Sequence, residues 1–300
     1  MTLERQALEA AIEDAPDDAA RYAVLGDWYQ QVGDPRGELI SLQLGDRSTR
    51  ARREREEVLL RTKGIRIAQP QRAQWRWGFV HTLFFVLTNH AAWEERRDDW
   101  TTTLLQPAVD HPSCRFLREL VVDASPGDDT LEFLSATPPR LLEGLAMTCN
   151  ELDLAHVGAG LARLIKLNLS AQLIVPAAVS LPRLSELSVP VDAMTIGGLG
   201  MVLDALPSLR KLTLSSLETF DREALFPITR LNNLESLTLR ADKTTRSAVA
   251  AIFESPLKDS LRTLDVSRSG MTEEAAHRLL EWAPKFARLG TLNLGEAAHE

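Results

Sequence analysis

The sequence predicts an α/β protein: a solenoid with a curved parallel sheet inside and helices outside, preceded by a small all-α domain. Two observations predict the solenoid. A Leu-x-x-Leu-x-Leu pattern recurs eight times in the last two thirds of the chain, and segments with helical spacing of apolar residues lie between several copies. The first 44 residues carry apolar residues at helical spacing only, which predicts the all-α part.

Each copy of the repeat predicts one short strand. The last four residues of the pattern alternate between the two faces of a sheet, so the leucines enter the core and the residues between them face outward. One repeat cannot bury its own apolar face, and neighbouring repeats must therefore stack. The first residues of the eight copies, 20 to 28 residues apart, are Leu117, Leu142, Leu164, Leu184, Leu209, Leu234, Leu261 and Leu289.

The long repeats leave room for a helix outside the sheet. Four segments have helical spacing, and several begin with Thr or Asp as an N-cap. They are residues 195–206, 221–231, 244–253 and 272–282. The repeats between Leu142 and Leu184 are too short for a helix, and we expect them to return by irregular or 3₁₀ structure.

The repeat resembles the leucine-rich repeat family, and its helix-backed form is similar to the ribonuclease-inhibitor type of horseshoe. The family motif adds an Asn just beyond the strand, which bonds to the backbone of the descending turn. Only Asn150 supplies that residue here, and Leu217 and Ala297 depart most from the motif. The likeness suggests, by analogy alone, an inhibitor of another enzyme.

The segment before the repeats predicts helices and a cap. Amphipathic patterns predict a helix over residues 2–14, a second capped by Asp17 or Asp18, and a third that begins at Leu39. A further strand is predicted over residues 80–85. The predicted domains are a helical domain with a basic helix, 1–66, the N-terminal cap of the solenoid, 67–114, and the repeats, 115–300.

The run Gly-Asp-Pro-Arg-Gly-Glu at 33–38 predicts a turn in which Arg36 pairs with Asp27 or Asp34. With Asp27-Trp28 upstream, the run resembles the bacterial repeat-companion domain, which precedes leucine-rich repeats. That resemblance implies no catalytic activity. The alternative interpretation is a binding or catalytic cluster made of Asp27, Asp34, Arg36 and Glu38.

Charge is distributed in blocks along the chain. The net charge of −8 combines about −7 over residues 1–46, about +7 over 47–76 and about −8 over the rest. A basic helix within 47–66 can contact phosphates or pair with the acidic segment before it. We favour pairing, because the chain is acidic overall and carries no recognised nucleic-acid motif.

Little in the sequence predicts catalysis. With 44% apolar and 25% charged residues, the composition is that of an ordinary globular protein. The six histidines lack metal-ligand spacing, and we expect Cys114, close to His111, to be a buried small hydrophobe. Cys149 and Glu151 only superficially resemble the Cys-x-Asp of bacterial leucine-rich-repeat ubiquitin ligases, so we reject that activity. We expect no catalytic residue, metal or cofactor.

The outward strand positions form the candidate binding site. They make three columns rich in Ser and Thr, and eight strands at about 4.7 Å spacing give a face about 33 Å long. Lys166, Lys211 and Arg240 are its possible anchors, with Arg268 as a further candidate. The predicted partner-binding residues are Glu119, Lys166, Asn168, Glu186, Lys211, Thr213, Arg240 and Asp265. The alternative is that short β-forming residues simply line a solvated sheet.

These observations predict a non-enzymatic protein–protein interaction module. It would bind another protein through the concave face, as an inhibitor, adaptor or regulator, and be monomeric alone. The polar start of the chain lacks a signal peptide, and the longest apolar run, 79–87, is far shorter than the ~20 residues of a membrane helix. We therefore expect a cytoplasmic protein without membrane contact. The alternative function is nucleic-acid association through residues 47–76.

Overall fold

The chain is described here by a computed structural model. It describes residues 3–46, 49–62, 64–67, 71–86, 100–123, 127–177, 179–192, 196–215 and 219–294. Two compact units are present: unit 1 is Met1–Asp123 with Pro138–Glu143, and unit 2 is Ala124–Thr137 with Gly144–Glu300. Both predicted domain boundaries, after residue 66 and after residue 114, lie inside unit 1.

Unit 1 begins with helices, as the amphipathic patterns predict. Asp18 caps the second helix by accepting the backbone N–H of Ala20 at 3.0 Å. The third helix begins at Arg36, so the predicted start at Leu39 is wrong. Pro35 has a φ of −62°, already suited to a helix, and the Asp34 carboxylate accepts the Arg36 N–H at 2.9 Å. The helices are α1 (Leu3–Asp14), α2 (Ala19–Gln31), α3 (Arg36–Leu44) and α4 (Arg50–Leu60).

Strands follow in the described part of unit 1. Strand β1 (Gln71–Arg76) pairs antiparallel with β2 (Phe79–Val86), and β2 pairs in parallel with β3 (Glu119–Asp123). The predicted strand over 80–85 is therefore confirmed. Between β2 and β3 lie a π-helical turn, a short helix and a 3₁₀ turn, namely Thr101–Leu105, α5 (Gln106–Val109) and Pro112–Cys114.

An aromatic cluster forms the core of unit 1. The ring centroids of Phe79 and Phe116 are 4.6 Å apart, and those of Tyr22 and Phe116 are 5.6 Å apart. Edge-to-face contacts of this kind add to the stabilisation from apolar burial. The helices and the first strands of unit 1 therefore share one core.

In the described residues, unit 2 is built on seven parallel strands. Their order in the sheet is β4–β5–β6–β7–β9–β11–β12, and each pair of neighbours runs parallel. The strands are β4 (Gly144–Asp153), β5 (Lys166–Val175), β6 (Glu186–Pro190), β7 (Lys211–Ser215), β9 (Ser236–Arg240), β11 (Thr263–Arg268) and β12 (Thr291–Asn293). A separate two-stranded parallel pair consists of β8 (Thr219–Phe220) and β10 (Lys243–Thr244).

The repeat leucines align in register across unit 2. Because side chains alternate between the two faces of a strand, every second side chain points into the core, and most of these residues are buried. One such row consists of Leu145, Leu167, Leu187, Leu212, Leu237, Leu264 and Leu292. The fold class is therefore α/β with a mostly parallel sheet and an N-terminal helical part.

The connections in unit 2 follow the repeat lengths. The short repeats return through 3₁₀ turns at Leu154–His156 and Ala159–Leu161, as predicted. The helix predicted over 221–231 is wrong: a 3₁₀ helix forms at Phe226–Arg230, because Pro227 lacks the N–H that a continuing α-helix needs. The α-helices are α6 (Gly127–Ala136), α7 (Ile196–Asp204), α8 (Arg246–Glu254), α9 (Leu257–Ser260) and α10 (Glu273–Trp282). None of the described helices is long and apolar enough to cross a bilayer.

Two strands are longer than the repeat predicts. Strands β4 and β5 have ten residues each, and they stay paired as far as Asp153 and Val175. Asn150 therefore lies exposed inside a strand, whereas the family resemblance implies a place in a turn. The repeat pattern defines where these strands begin, but not where they end.

Candidate binding face

The outward residues of unit 2 form aligned columns. The first column runs through Gly144, Lys166, Glu186, Lys211, Ser236, Thr263 and Thr291. The second runs through Ala146, Asn168, Ser188, Thr213, Thr238, Asp265 and Asn293. The structure thus brings together, on the strands of unit 2, every predicted partner-binding residue except Glu119, which is part of unit 1. We name this surface, made of these two columns with Arg240 and Arg268, the outward face.

An ion pair joins two neighbouring residues of the first column. Lys211 Nζ lies 2.7 Å from Glu186 Oε1, and 60% of the Lys211 side chain is exposed. An exposed pair of this kind stabilises a protein by at most about 1 kcal/mol. Lys166 and Asn168, on the strand beyond Glu186, are exposed. A partner can therefore contact these side chains without displacing a strong internal interaction.

Asp265 organises the second column. Its Oδ1 accepts hydrogen bonds from the N–H and Oγ of Ser267, at 2.9 and 2.7 Å. Burial would raise the pKa of the Asp265 carboxyl, but its hydrogen bonds from Ser267 and Asn293 and the charge of Arg240 outweigh burial and lower it. Asp265 is therefore ionised at neutral pH. Thr213, in the same column, is half-buried.

The third predicted column, which contains Arg240, is wrong at the position on β11. Repeat spacing places Ser267 beside Arg240, but the register shifts between Asp265 and Arg268, so Arg268 pairs with Arg240. The hydrogen bonds from Ser267 to Asp265 lie at this bulge, where they close a tight local turn. An Asp followed two residues later by Ser is the signal in the sequence that could have revealed it.

Glu119 lies in unit 1 and has a different environment. It is half-buried on β3, where it accepts a hydrogen bond from Thr82 Oγ1 at 3.2 Å. Burial and the charges of Arg76 and Arg118 lower the pKa of the nearby His81, although Glu119 opposes them. Glu119 therefore has local structural contacts in unit 1.

The alternative cluster at residues 27–38 forms structural contacts. Arg36 is buried, pairs with Asp34 at 3.1 Å, and donates to the backbone oxygen of Gly64 at 2.6 Å. Glu38 accepts two hydrogen bonds from Arg55, each of 2.6 Å. Asp27 is exposed. Arg36 does pair with Asp34, as predicted, and these contacts support the structural interpretation of the run.

The basic segment is partly neutralised by neighbouring acids. Besides the bidentate pair with Glu38, Arg50 pairs with Glu54 at 2.7 Å, and Arg61 lies 3.8 Å from Glu57. The pairing of this helix with the preceding acidic segment is therefore confirmed at Arg55. Such pairing reduces the positive field that attracts nucleic acid.

Both cysteines are buried. Burial raises the pKa of the Cys114 thiol to about 12 and that of Cys149 to about 11. The thiolate is the nucleophilic form, and at neutral pH both thiols are protonated. The prediction that Cys114 is a buried small hydrophobe is therefore confirmed. Within the described ranges, no group of three His, Cys, Asp or Glu is placed to hold a metal ion.

The chain matches no protein-family model and no curated protein.

Proposed function

We propose that the protein is a non-enzymatic interaction module of the leucine-rich repeat type. It binds another protein through the outward face of unit 2, which is the concave face of such a solenoid. The observation that supports this proposal is the alignment of polar, accessible side chains in register across the strands, above a row of buried leucines. Seven strands at about 4.8 Å spacing extend about 29 Å, a dimension compatible with a standard protein interface.

The test reverses charge on the outward face. The variant carries Lys166→Glu, Lys211→Glu and Arg240→Glu, and native lysate is captured on immobilised wild type and variant for mass spectrometry. A matched control carries Arg222→Glu, Arg230→Glu and Lys285→Glu, three exposed positions of unit 2 outside the seven strands. Both variants change the net charge equally.

The expected result is a partner lost only by the face variant. A partner captured equally by wild type and both variants would move the binding site away from the face. If a purified sample showed specific turnover of a substrate, the non-enzymatic part of the proposal would be wrong.

A further inference from the structure

Two like charges face each other on the outward face. Arg240 and Arg268 are direct register partners on β9 and β11, and both side chains are exposed. Neither forms an ion pair with a described residue. Like charges directly opposite in a sheet are destabilising. A bound anion would remove this repulsion.

The bulge in β11 creates the pair. Without the bulge, the outward residue after Asp265 would be Ser267. Ser267 would then lie beside Arg240, and no second arginine would face Arg240. Ser267 bonds to Asp265 instead, and the backbone N–H of Ala241 donates to the Arg268 oxygen at 2.9 Å, which fixes Arg268 beside Arg240. Bulges that redirect a side chain are common next to functional sites.

Nearby acid does not neutralise the pair. Asp265 acts on Arg240 through its charge, but its carboxylate is already bound by Ser267 and Asn293. Arg240 thus shares the charge of a carboxylate that is already engaged, and Arg268 adds a second guanidinium group beside it. The site retains positive charge, and no described residue accepts a hydrogen bond from either guanidinium group.

We propose that Arg240 and Arg268 bind a carboxylate of an acidic segment of the partner protein. This inference rests on the proposed function, because it assigns the partner's chemistry to the same face. Guanidinium groups bind carboxylates through paired, charge-assisted hydrogen bonds. A nucleic acid is a poorer occupant, since unit 2 contains 16 Lys and Arg against 21 Asp and Glu and would repel an extended polyphosphate.

The test uses a labelled hexaglutamate peptide at an ionic strength of about 0.15 M. Fluorescence anisotropy measures its binding to wild type, to Arg240→Gln with Arg268→Gln, and to Arg222→Gln with Arg230→Gln. The last variant removes the same charge away from the face, where each arginine pairs with an acid. Circular dichroism verifies that all three proteins are folded.

The expected result is binding to wild type and to the control, weakened about tenfold or more in the face variant. Equal binding to all three proteins, or no binding to wild type, would overturn the proposal. Inorganic phosphate that displaces the peptide at far lower concentration than glutamate does would also overturn the carboxylate assignment.

Failure here is distinguishable from failure of the proposed function. If the face variant loses the lysate partner but the double glutamine variant binds hexaglutamate as well as wild type does, only the carboxylate assignment is wrong. If the double glutamine variant loses hexaglutamate binding but the face variant still captures the lysate partner, the proposed function is wrong.

Discussion

Gly37 shows how a single residue allows two helices to approach. A Cβ on this glycine would lie 2.5 Å from the backbone nitrogen of Gln30 and 2.6 Å from the backbone oxygen of Gly26. Backbone atoms cannot move aside as a flexible side chain can. The close crossing of α2 and α3 therefore requires glycine at this position.

We predict that Gly37→Ala lowers the free energy of unfolding by about 1–3 kcal/mol, the usual cost of overpacking. Urea unfolding followed by circular dichroism measures it. Gly197→Ala is the control, since nothing lies within 4 Å of the added Cβ and the residue is helical. The control should be neutral or stabilising by about 0.5–1 kcal/mol. Equal stability of both variants would contradict the requirement for glycine at position 37.

The run at 33–38 also shows what single residues allow one to predict. Its turn follows from local chemistry, since Pro and Asp have strong turn preferences. The sequence predicts an acidic partner for Arg36 but leaves Asp27 and Asp34 open, and the structure shows the pair with Asp34. The need for glycine at 37 could not be predicted, because the clashing atoms belong to α2 and depend on the packing distance. The helix start at Arg36 was missed because Pro35 can end one element or begin the next.

At the scale of elements, caps determine several helix boundaries. Thr272 Oγ1 accepts the backbone N–H of Ala275 at 3.2 Å at the start of α10, and Glu273 and Glu274 complement the positive end of that helix. This helix was predicted from the same Thr and its apolar spacing.

Removal of this cap gives a second prediction. Thr272→Ala should lower the free energy of unfolding by about 1 kcal/mol, because an N–H of the first turn loses its partner. Thr272→Ser keeps the hydroxyl and should retain most of the stability. Thermal unfolding of the three proteins measures the difference, and similar losses for Ala and Ser would assign the effect to the lost methyl group instead.

Proline and strand length explain where prediction of elements failed. The apolar spacing of 221–231 fits a helix, but Pro227 allows only a short 3₁₀ segment. The extension of β4 and β5 could not be predicted, since it depends on pairing between the two strands beyond the repeat pattern. Repeat spacing encodes where a strand begins more strongly than where it ends.

For the molecule as a whole, histidine burial predicts loss of stability in mild acid. Burial lowers the pKa of His81 and His111 below the usual value near 6.5. Between the lowered folded value and the unfolded value, the unfolded state binds more protons, so stability rises with pH across that window. The free energy of unfolding should therefore be level between about pH 7 and pH 8 and fall as the pH drops below about 6.5.

Urea unfolding from pH 8 to 5 measures this dependence. His81→Gln should reduce the slope below about pH 6.5, because it removes one of the two partly buried imidazoles that must be protonated. An unchanged slope in His81→Gln would show that His81 does not contribute to the acid sensitivity.

The positions of residues on the outward face were largely predictable, because the repeat spacing sets the register of the first two columns. Its chemistry was less predictable. The pairing of Lys211 with Glu186 follows from adjacent register positions. The shift that brings Arg268 beside Arg240 instead coincides with two local hydrogen bonds from Ser267 to Asp265. Local bonds of this kind override a repeat pattern.

The long strand pair β4–β5 has a consequence for colloidal behaviour. Beyond Asn168, β5 has no register partner on β6 in the described sheet, and Leu173 and Val175 are 49% and 38% exposed. Residues 167–175 contain no charged side chain, and an uncharged apolar edge of this kind favours cross-β association between molecules. Leu173→Lys should therefore raise the concentration at which light scattering first detects aggregates, with little change in the unfolding midpoint. Pro176, directly after the strand, lacks the backbone N–H that would extend this edge further.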